Sequence, residues 1–283
     1  MEPVAELLDL LDLTPIATDE FIGRNPERSL PFVFGGQVAA QSLAAAGRTV
    51  DSDRSVRSLH AYFLRAGDPT RPIRYRVERT HDGRSFSARR VVASQEGGVI
   101  FTLAASFHIA EDGLDHQIAM PAVPPPDTLP RLETWLAPHT ERLPSWWRGP
   151  MAVDLRYVDE PPHVLTRERD WQPRQALWMR ADGELPDDPL VHVCVLTFAS
   201  DLTLLDPVLL AHGISWYTGR VRAASLDHAL WFHRPLRADR WLLYAQESPT
   251  ASGARGLARG SVFDAEGTLV ATVMQEGLIR LLD

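Results

Sequence analysis

The sequence has a single cysteine, no excess of basic residues and no long apolar run, and each shortage excludes a class of protein. Cys194 has no second cysteine to pair with in the chain, which is typical of a reducing compartment. The formal net charge of -8 argues against nucleic acid, because phosphate binding needs a basic surface. No apolar run approaches the roughly 20 residues of a membrane-spanning helix. We therefore expect neither a nucleic-acid nor a membrane partner.

Targeting signals and several catalytic motifs are also missing. The acidic, amphipathic start MEPVAELLDLLDL is unlike a signal or transit peptide, and the final LLD is no peroxisomal address, so we expect a cytoplasmic protein. No G-x-S-x-G elbow is present, which disfavours an α/β-hydrolase, and GARGLARG (253–260) has the wrong spacing for a dinucleotide loop. His228 and His233 would lie on opposite faces of a strand, which disfavours a shared metal.

Proline is abundant in one region, which divides the chain. AMPAVPPPDTLP, PSWWRGP, DEPP and ELPDDP lie between residues 110 and 190. Prolines remove hydrogen-bond donors and hold the chain extended, so we predict a proline-rich linker over 116–190 with a few short elements. The pair Trp146-Trp147 is expected to pack this linker onto the body. The linker separates an N-terminal domain, 1–115, from a C-terminal domain, 191–283.

The two sides of the linker repeat the same features in the same order. His60, Arg89 and Gly98 of the first half align with His228, Arg255 and Gly267 of the second, at offsets of 168, 166 and 169 residues. A near-constant offset predicts an internal duplication and two equivalent domains.

Each half is predicted to contain one helix followed by antiparallel strands. GGQVAAQSLAAAGRTV (35–50) is alanine-rich with helical spacing, and SDLTLLDPVLLAHG (200–213) opens with Ser200-Asp201, which is N-cap chemistry. Runs rich in Val, Ile, Phe, Leu and Tyr follow each helix, separated by DG, EGG and EG turns. A sheet wrapped around one long helix is the hotdog arrangement. We predict an α+β double hotdog of two tandem antiparallel sheets.

One predicted strand contains a polar residue where an apolar one is expected. In GTLVATVMQEGLIR (267–280), Leu269, Ala271 and Val273 alternate, and Gln275 stands at the next inward position. An inward amide costs free energy unless it is hydrogen-bonded. Gln275 therefore has either a structural partner or a place in a functional site.

Four blocks of the sequence resemble the acyl-CoA thioesterase II family, which includes bacterial thioesterase II and its peroxisomal relatives: FVFGGQVAAQSL, VRSLHAYFLRAGDPTRPIRYRVERTHDGRSFSARRVVASQ, SLDHALWFHRPLRADRWLLY and VMQEGLIR. The resemblance implies a double hotdog that hydrolyses fatty acyl-CoA to free fatty acid and coenzyme A without a cofactor or metal. It also implies a homo-oligomer, either a dimer or a dimer of dimers. Carried over by motif, it implies that Asp201, Ser225 and Gln275 hold the attacking water.

These residue types suit hydrolysis of a thioester. A carboxylate such as Asp201 accepts the proton of water, while the Ser225 hydroxyl and Gln275 amide orient it. Gly35-Gly36 at a helix start is expected to let an acyl carbonyl approach closely. The first copy lacks the acid, because Gly-Gly-Gln (35–37) and Ala105-Ser106 stand at the positions that we match to Asp201 and Gln275.

Other interpretations of the same residues stay open. Read structurally, Asp201 is a helix N-cap, Ser225 a turn residue, Gln275 a polar strand end and Cys194 a core residue. A hotdog hydratase or dehydratase would use an Asp/His pair, for which His228 is the candidate histidine. A non-catalytic acyl-CoA-binding hotdog would need neither Asp201 nor Gln275. The arginines at 84, 89 and 90 are either exposed strand residues or contacts for coenzyme A phosphates.

Overall fold

The computed structural model describes residues 3–26, 31–142, 151–164, 172–216 and 221–282. Its α-helices are α1 (Pro3–Leu11), α2 (Gly35–Gly47), α3 (Leu132–Leu136), α4 (Pro189–Ser200) and α5 (Asp206–Leu210). Short 3-10 turns lie at Pro126–Thr128 and Ala137–Arg142. The strands are β1 (Thr14–Ala17), β2 (Glu20–Gly23), β3 (Arg54–Phe63), β4 (Ile73–Asp82), β5 (Phe86–Gln95), β6 (Gly98–Ile109), β7 (Val153–Tyr157), β8 (Arg174–Ala181), β9 (Val221–Ser225), β10 (Asp227–Phe232), β11 (Leu242–Ser252), β12 (Arg255–Asp264) and β13 (Leu269–Leu281).

The strands form one continuous antiparallel sheet. Their order is β1-β2-β4-β5-β6-β3-β10-β13-β12-β11-β8-β7, and β9 pairs with β13 beside β10. The first half of the chain supplies the strands up to β3, and the second half supplies those from β10 onward. Pairing of β3 with β10 therefore joins two hotdog sheets edge to edge, as a duplicated fold requires to cover its exposed strand edges. The predicted α+β double hotdog is confirmed.

The two long helices, α2 and α4, pack against each other inside the sheet. Almost every residue of α2 is buried, and alanine and glycine occupy most of its positions. A Cβ on Gly36 would stand 2.5 Å from the backbone oxygen of Phe198 in α4, so the backbones approach too closely there for a side chain. The small residues of α2 are what allow a second helix to share its core.

The strand pairing at the centre corrects one pair of the predicted repeat. The sequence matches His60 with His228, at an offset of 168 residues. In the sheet, His228 lies opposite Ala61 and Ala229 lies opposite His60. His228 is buried with Ala61 on the inner face, whereas His60 is exposed on the outer face, so the two histidines are not equivalent positions.

The second long helix lies earlier in the chain than predicted. It covers Pro189–Ser200 rather than 200–213, so Asp201 is at its C-terminal end and is not an N-cap. The N-cap is Asp188, whose side chain accepts a hydrogen bond from the Leu190 amide at 2.9 Å, with Pro189 following. The helix was missed because it is buried and apolar around most of its circumference, which removes the usual helical periodicity. Cys194 is a buried core residue of this helix, as predicted.

The segment predicted to be a linker contributes two strands. β7 and β8 lie within 116–190, pair with each other, and extend the second sheet through pairing of β8 with β11. The sequence does not predict these strands, because prolines flank their short apolar stretches and proline disfavours a central strand. The expected packing role of Trp146 and Trp147 falls on residues outside the described ranges. Within those ranges, no helix has the length and apolar character needed to cross a membrane.

Candidate active site

The structure brings the three predicted site residues into contact. The Gln275 amide nitrogen donates to Asp201 Oδ1 at 2.5 Å and to Ser225 Oγ at 2.9 Å. Asp201 follows α4, Ser225 ends β9 and Gln275 lies within β13. Gln275 is 1% exposed, so its inward side chain has the polar partners that burial demands.

An irregularity in the strand pairing shapes this corner of the sheet. β13 pairs with β9 so that Gly277 lies opposite Ser225, and with β10 so that Met274 lies opposite Ala229. Three residues, 226–228, therefore span what two residues span on β13, as in a β-bulge. Asp227 fixes this bulge by accepting a hydrogen bond from the Glu276 amide at 2.7 Å. Ser225 and Gln275 are diagonal neighbours on the inner face, within side-chain reach.

The first half of the chain also contributes to the site, through its backbone. The Gly36 amide at the start of α2 donates a hydrogen bond to the Asp201 carboxylate. A Cβ on Gly35 would stand 2.7 Å from Asp201 Oδ2 and 2.8 Å from the Phe63 ring. The two glycines were expected to admit an acyl carbonyl. In the structure the Asp201 carboxylate takes the space beside Gly35 instead.

The electrostatic environment of Asp201 favours a carboxylate that exchanges protons near neutral pH. Burial raises the pKa of Asp201 to about 7, opposed by the hydrogen bonds from Gln275 and Gly36, which lower it. The position of the carboxylate at the N-terminal end of α2 also favours its ionised form. A pKa close to the working pH suits a group that accepts and returns a proton.

Two hydrogen-bonding groups in the site have no partner among the described residues. Gln275 uses its amide nitrogen for both contacts, and its Oε1 is enclosed by protein atoms without a partner. Ser225 Oγ accepts from Gln275, which leaves its own proton to donate. The Ser225 hydroxyl is thus the group beside the carboxylate that can orient a small polar molecule such as water.

The predicted alternative histidine does not pair with the carboxylates of the site. His228 is fully buried, and its Nε2 lies 2.9 Å from Ser200 Oγ. Burial lowers the pKa of His228 to about 3, so the ring is neutral. His233 bonds Thr272 Oγ1 at 2.8 Å instead. Within the described ranges, no group of three or more His, Cys, Asp or Glu side chains is arranged to hold a metal.

The counterpart of Asp201 in the first half is a different residue from the one predicted. Asp201 directly follows α4, and the residue that directly follows α2 is Arg48, with similar backbone angles at both. The expected match to Gly-Gly-Gln (35–37) is therefore wrong, because those residues start their helix. The conclusion that the first copy lacks the acid is confirmed, because the residue at that position of the chain is Arg48.

The register also corrects one pair of the repeat. Arg89 lies opposite Ala105 on β6, and Gln275 lies opposite Ala258 on β12. Arg89 therefore corresponds to Ala258 and not to Arg255, while Ala105 corresponds to Gln275 as predicted. The first half has Ala105 where the second half has Gln275, and it has Arg89 where the second half has Ala258.

Arg89 fills the first-half equivalent of the site. Its side chain is 2% exposed and donates to Thr49 Oγ1 at 2.8 Å and to Asp82 Oδ1 at 2.7 Å. Arg89 is thus neither an exposed strand arginine nor a phosphate contact, whereas Arg84 and Arg90 are exposed. In the first half this position is therefore filled by a buried guanidinium that pairs with the half-exposed Asp82.

A second polar cluster near the site had no signal in the sequence. Asp206 is 1% exposed and accepts hydrogen bonds from Tyr157, Gln175 and Trp216. Burial raises the pKa of Asp206 to about 7. Its partners come from distant parts of the chain, so neither spacing nor local pattern identified them.

The fold is the hotdog fold of solved acyl-CoA thioesterase structures. Residues 154–278 match the model of the acyl-CoA thioesterase family, and residues 26–108 match that of the acyl-CoA thioesterase N-terminal domain. The chain belongs to the acyl-CoA thioesterase family and is a thioester hydrolase.

Individual relatives match over nearly the whole chain. Human acyl-coenzyme A thioesterase 8 is 40% identical, with 96% of this chain and 88% of that protein covered. Acyl-CoA thioesterase 2 of Haemophilus influenzae is 38% identical, with 97% and 96% covered. The crystal structure of the acyl-CoA thioesterase II TesB2 from Mycobacterium marinum is 44% identical and superposes with a TM-score of 0.81, covering 98% of this chain and 99% of that one.

Proposed function

We propose that the protein hydrolyses fatty acyl-CoA to a free fatty acid and coenzyme A, by direct attack of a water held by Asp201, Ser225 and Gln275. The observation that carries the proposal is the Gln275 amide, which bridges the other two side chains at hydrogen-bond distance. Such a bridge fixes the carboxylate and hydroxyl in one orientation before substrate binds, which reduces the entropy cost of reaching the transition state.

In this mechanism Asp201 is the general base. Its carboxylate removes a proton from the water as the water oxygen attacks the thioester carbonyl carbon. The Ser225 hydroxyl, which the Gln275 amide orients, holds the water in line with that carbon. The tetrahedral intermediate then collapses, the carbon–sulfur bond breaks, and the proton on Asp201 returns to the departing thiolate. The positive end of α2 favours the negative charge that develops.

The test is the isosteric substitution Asp201→Asn, assayed by release of free thiol from a panel of acyl-CoAs. Loss of a general base lowers the rate roughly 10²- to 10⁴-fold. Acyl-CoA affinity and the melting temperature should be retained, because an amide preserves most of the hydrogen bonding. Ser225→Ala and Gln275→Ala should also slow turnover, and the three effects should not add because they act on one water.

Asp82→Asn is the matched control, since Asp82 lies outside the site and bonds Arg89 in the first half. It should keep near-normal turnover. Near-normal turnover in a well-folded Asp201→Asn variant would contradict the proposal, and so would a trapped covalent acyl-enzyme. Hydration of an enoyl-CoA without thiol release would point to a hydratase instead, and acyl-CoA binding without turnover to a non-catalytic binding protein.

A further inference from the structure

The turn that carries Asp201 is tied to the sheet on its upstream side. Ser200 Oγ donates to the Thr197 carbonyl at 3.0 Å, so the neutral His228 ring is the donor in its 2.9 Å contact with Ser200 Oγ. The Tyr244 hydroxyl donates to the Ser200 carbonyl at 3.3 Å. The residue immediately before Asp201 is thereby held by β10 and β11.

A second tie lies downstream of Asp201. Gln246 Nε2 donates to Thr203 Oγ1 at 2.7 Å, and the Gln246 Oε1 accepts from Gln175 at 2.6 Å. Gln175 also donates to the Thr203 carbonyl and to Asp206. Thr203 and Gln246 are 2% and 3% exposed, so these bonds are shielded from water and replace contacts that the unfolded chain makes with solvent.

We infer that Thr203 and Gln246 are positioning residues for hydrolysis, which hold the Asp201 carboxylate against Gln275 and Gly36. The downstream tie joins the residues that follow Asp201 to both β8 and β11. A base must be held within about 0.5 Å of its productive place, and a displacement of about 1 Å costs on the order of 100-fold in rate. A hydroxyl two residues from the base, anchored by a buried amide, supplies that restraint. The inference rests on the proposed role of Asp201.

The test is Thr203→Val, which keeps the shape of the side chain and removes the acceptor for Gln246. We expect kcat to fall on the order of 10-fold with KM within about twofold, since the acyl-CoA contacts are untouched. The acidic limb of the pH profile should move to higher pH, because a displaced carboxylate loses the hydrogen bonds that lower the pKa of Asp201. Thr203→Ser keeps the hydroxyl and should restore both values. If the valine variant does not fold, Thr203→Ala replaces it, and the same changes in kcat and pH profile are expected.

Thr49→Val is the matched control. Thr49 is also a buried threonine in the turn after a long helix, and its hydroxyl also accepts a side-chain N–H, from Arg89 at 2.8 Å. It should lose stability and keep kcat. Normal kcat in Thr203→Val, or an equal loss of kcat in Thr49→Val, would overturn the inference. If Asp201→Asn is inactive and Thr203→Val is normal, only this inference fails; if Asp201→Asn is active, the proposed function fails.

Discussion

At the scale of single residues, burial and hydrogen bonding have opposite effects on the charge of Asp201. Burial disfavours its charge, while an amide from β13 and a backbone N–H from α2 stabilise that charge. The first-half counterpart, Arg48, points elsewhere and donates to the Leu13 carbonyl. A carboxylate balanced in this way keeps a pKa of about 7 instead of ionising fully at low pH.

This balance predicts the pH dependence of hydrolysis. The base must be ionised to accept a proton, so kcat/KM should rise about tenfold per pH unit below pH 7 and level off above it. Initial rates of thiol release between pH 5 and 9 measure the profile. The residual rate of Asp201→Asn should lack this limb. A wild-type profile that is flat down to pH 5 would contradict the raised pKa.

The same residues show how far the sequence predicts the site. Gln275 was identifiable from the break in alternation alone, since an inward amide demands partners. Asp201 and Ser225 came from the family resemblance, because their spacing along the chain carries no geometric information. The Gly36 amide was not predictable as a partner of Asp201, since it depends on the packing of two helices from different halves.

At the scale of elements, each half presents surfaces that only the other half covers. The edge of β3 pairs with β10, and the small-residue face of α2 packs on α4. The duplicated order of helix and strands was predictable, because turn signals such as Gly98 and Gly267, both at positive φ, survive in the sequence. The position of α4 and the strands β7 and β8 was not, because burial on several faces removes periodicity and proline flanks conceal short strands.

Residues 1–115 expressed alone should therefore aggregate or fold poorly. Without the second half, they expose the edge of β3 that β10 pairs with over Ser58–Tyr62 and an apolar helix face. Yield of soluble protein and the cooperativity of thermal melting measure this, with the full chain as the control. A soluble first half that melts cooperatively would contradict the mutual dependence of the halves.

At the scale of the whole molecule, the outer face near the centre of the sheet carries large apolar side chains. Tyr62 and Leu64, two residues apart at the end of β3, are 61% and 55% exposed. Exposed apolar side chains of this size are enriched at contacts between protein subunits. They are consistent with the predicted dimer or dimer of dimers, although Trp146, Trp147 and Trp171, which were expected to contribute, lie outside the described ranges.

We expect light scattering to give a mass that is a multiple of the 31.6 kDa chain at micromolar concentration. Tyr62→Asp combined with Leu64→Asp should shift the mass toward that of one chain if this face is the contact, whereas Ile16→Asp, at an exposed position on β1, should not. A wild-type mass of a single chain would rule out the oligomer.

The interaction of the Gly36 amide with the Asp201 carboxylate makes the two copies depend on each other. After a duplication, a copy without its own reactive group is ordinarily free to drift. Here it supplies a main-chain proton to the carboxylate of its sister, at a place where any added carbon would collide with that carboxylate or with the neighbouring helix. With Asp201 as the proposed base, selection for turnover would act on two glycines in the half that lacks the carboxylate, so that neither copy would be useful without the other.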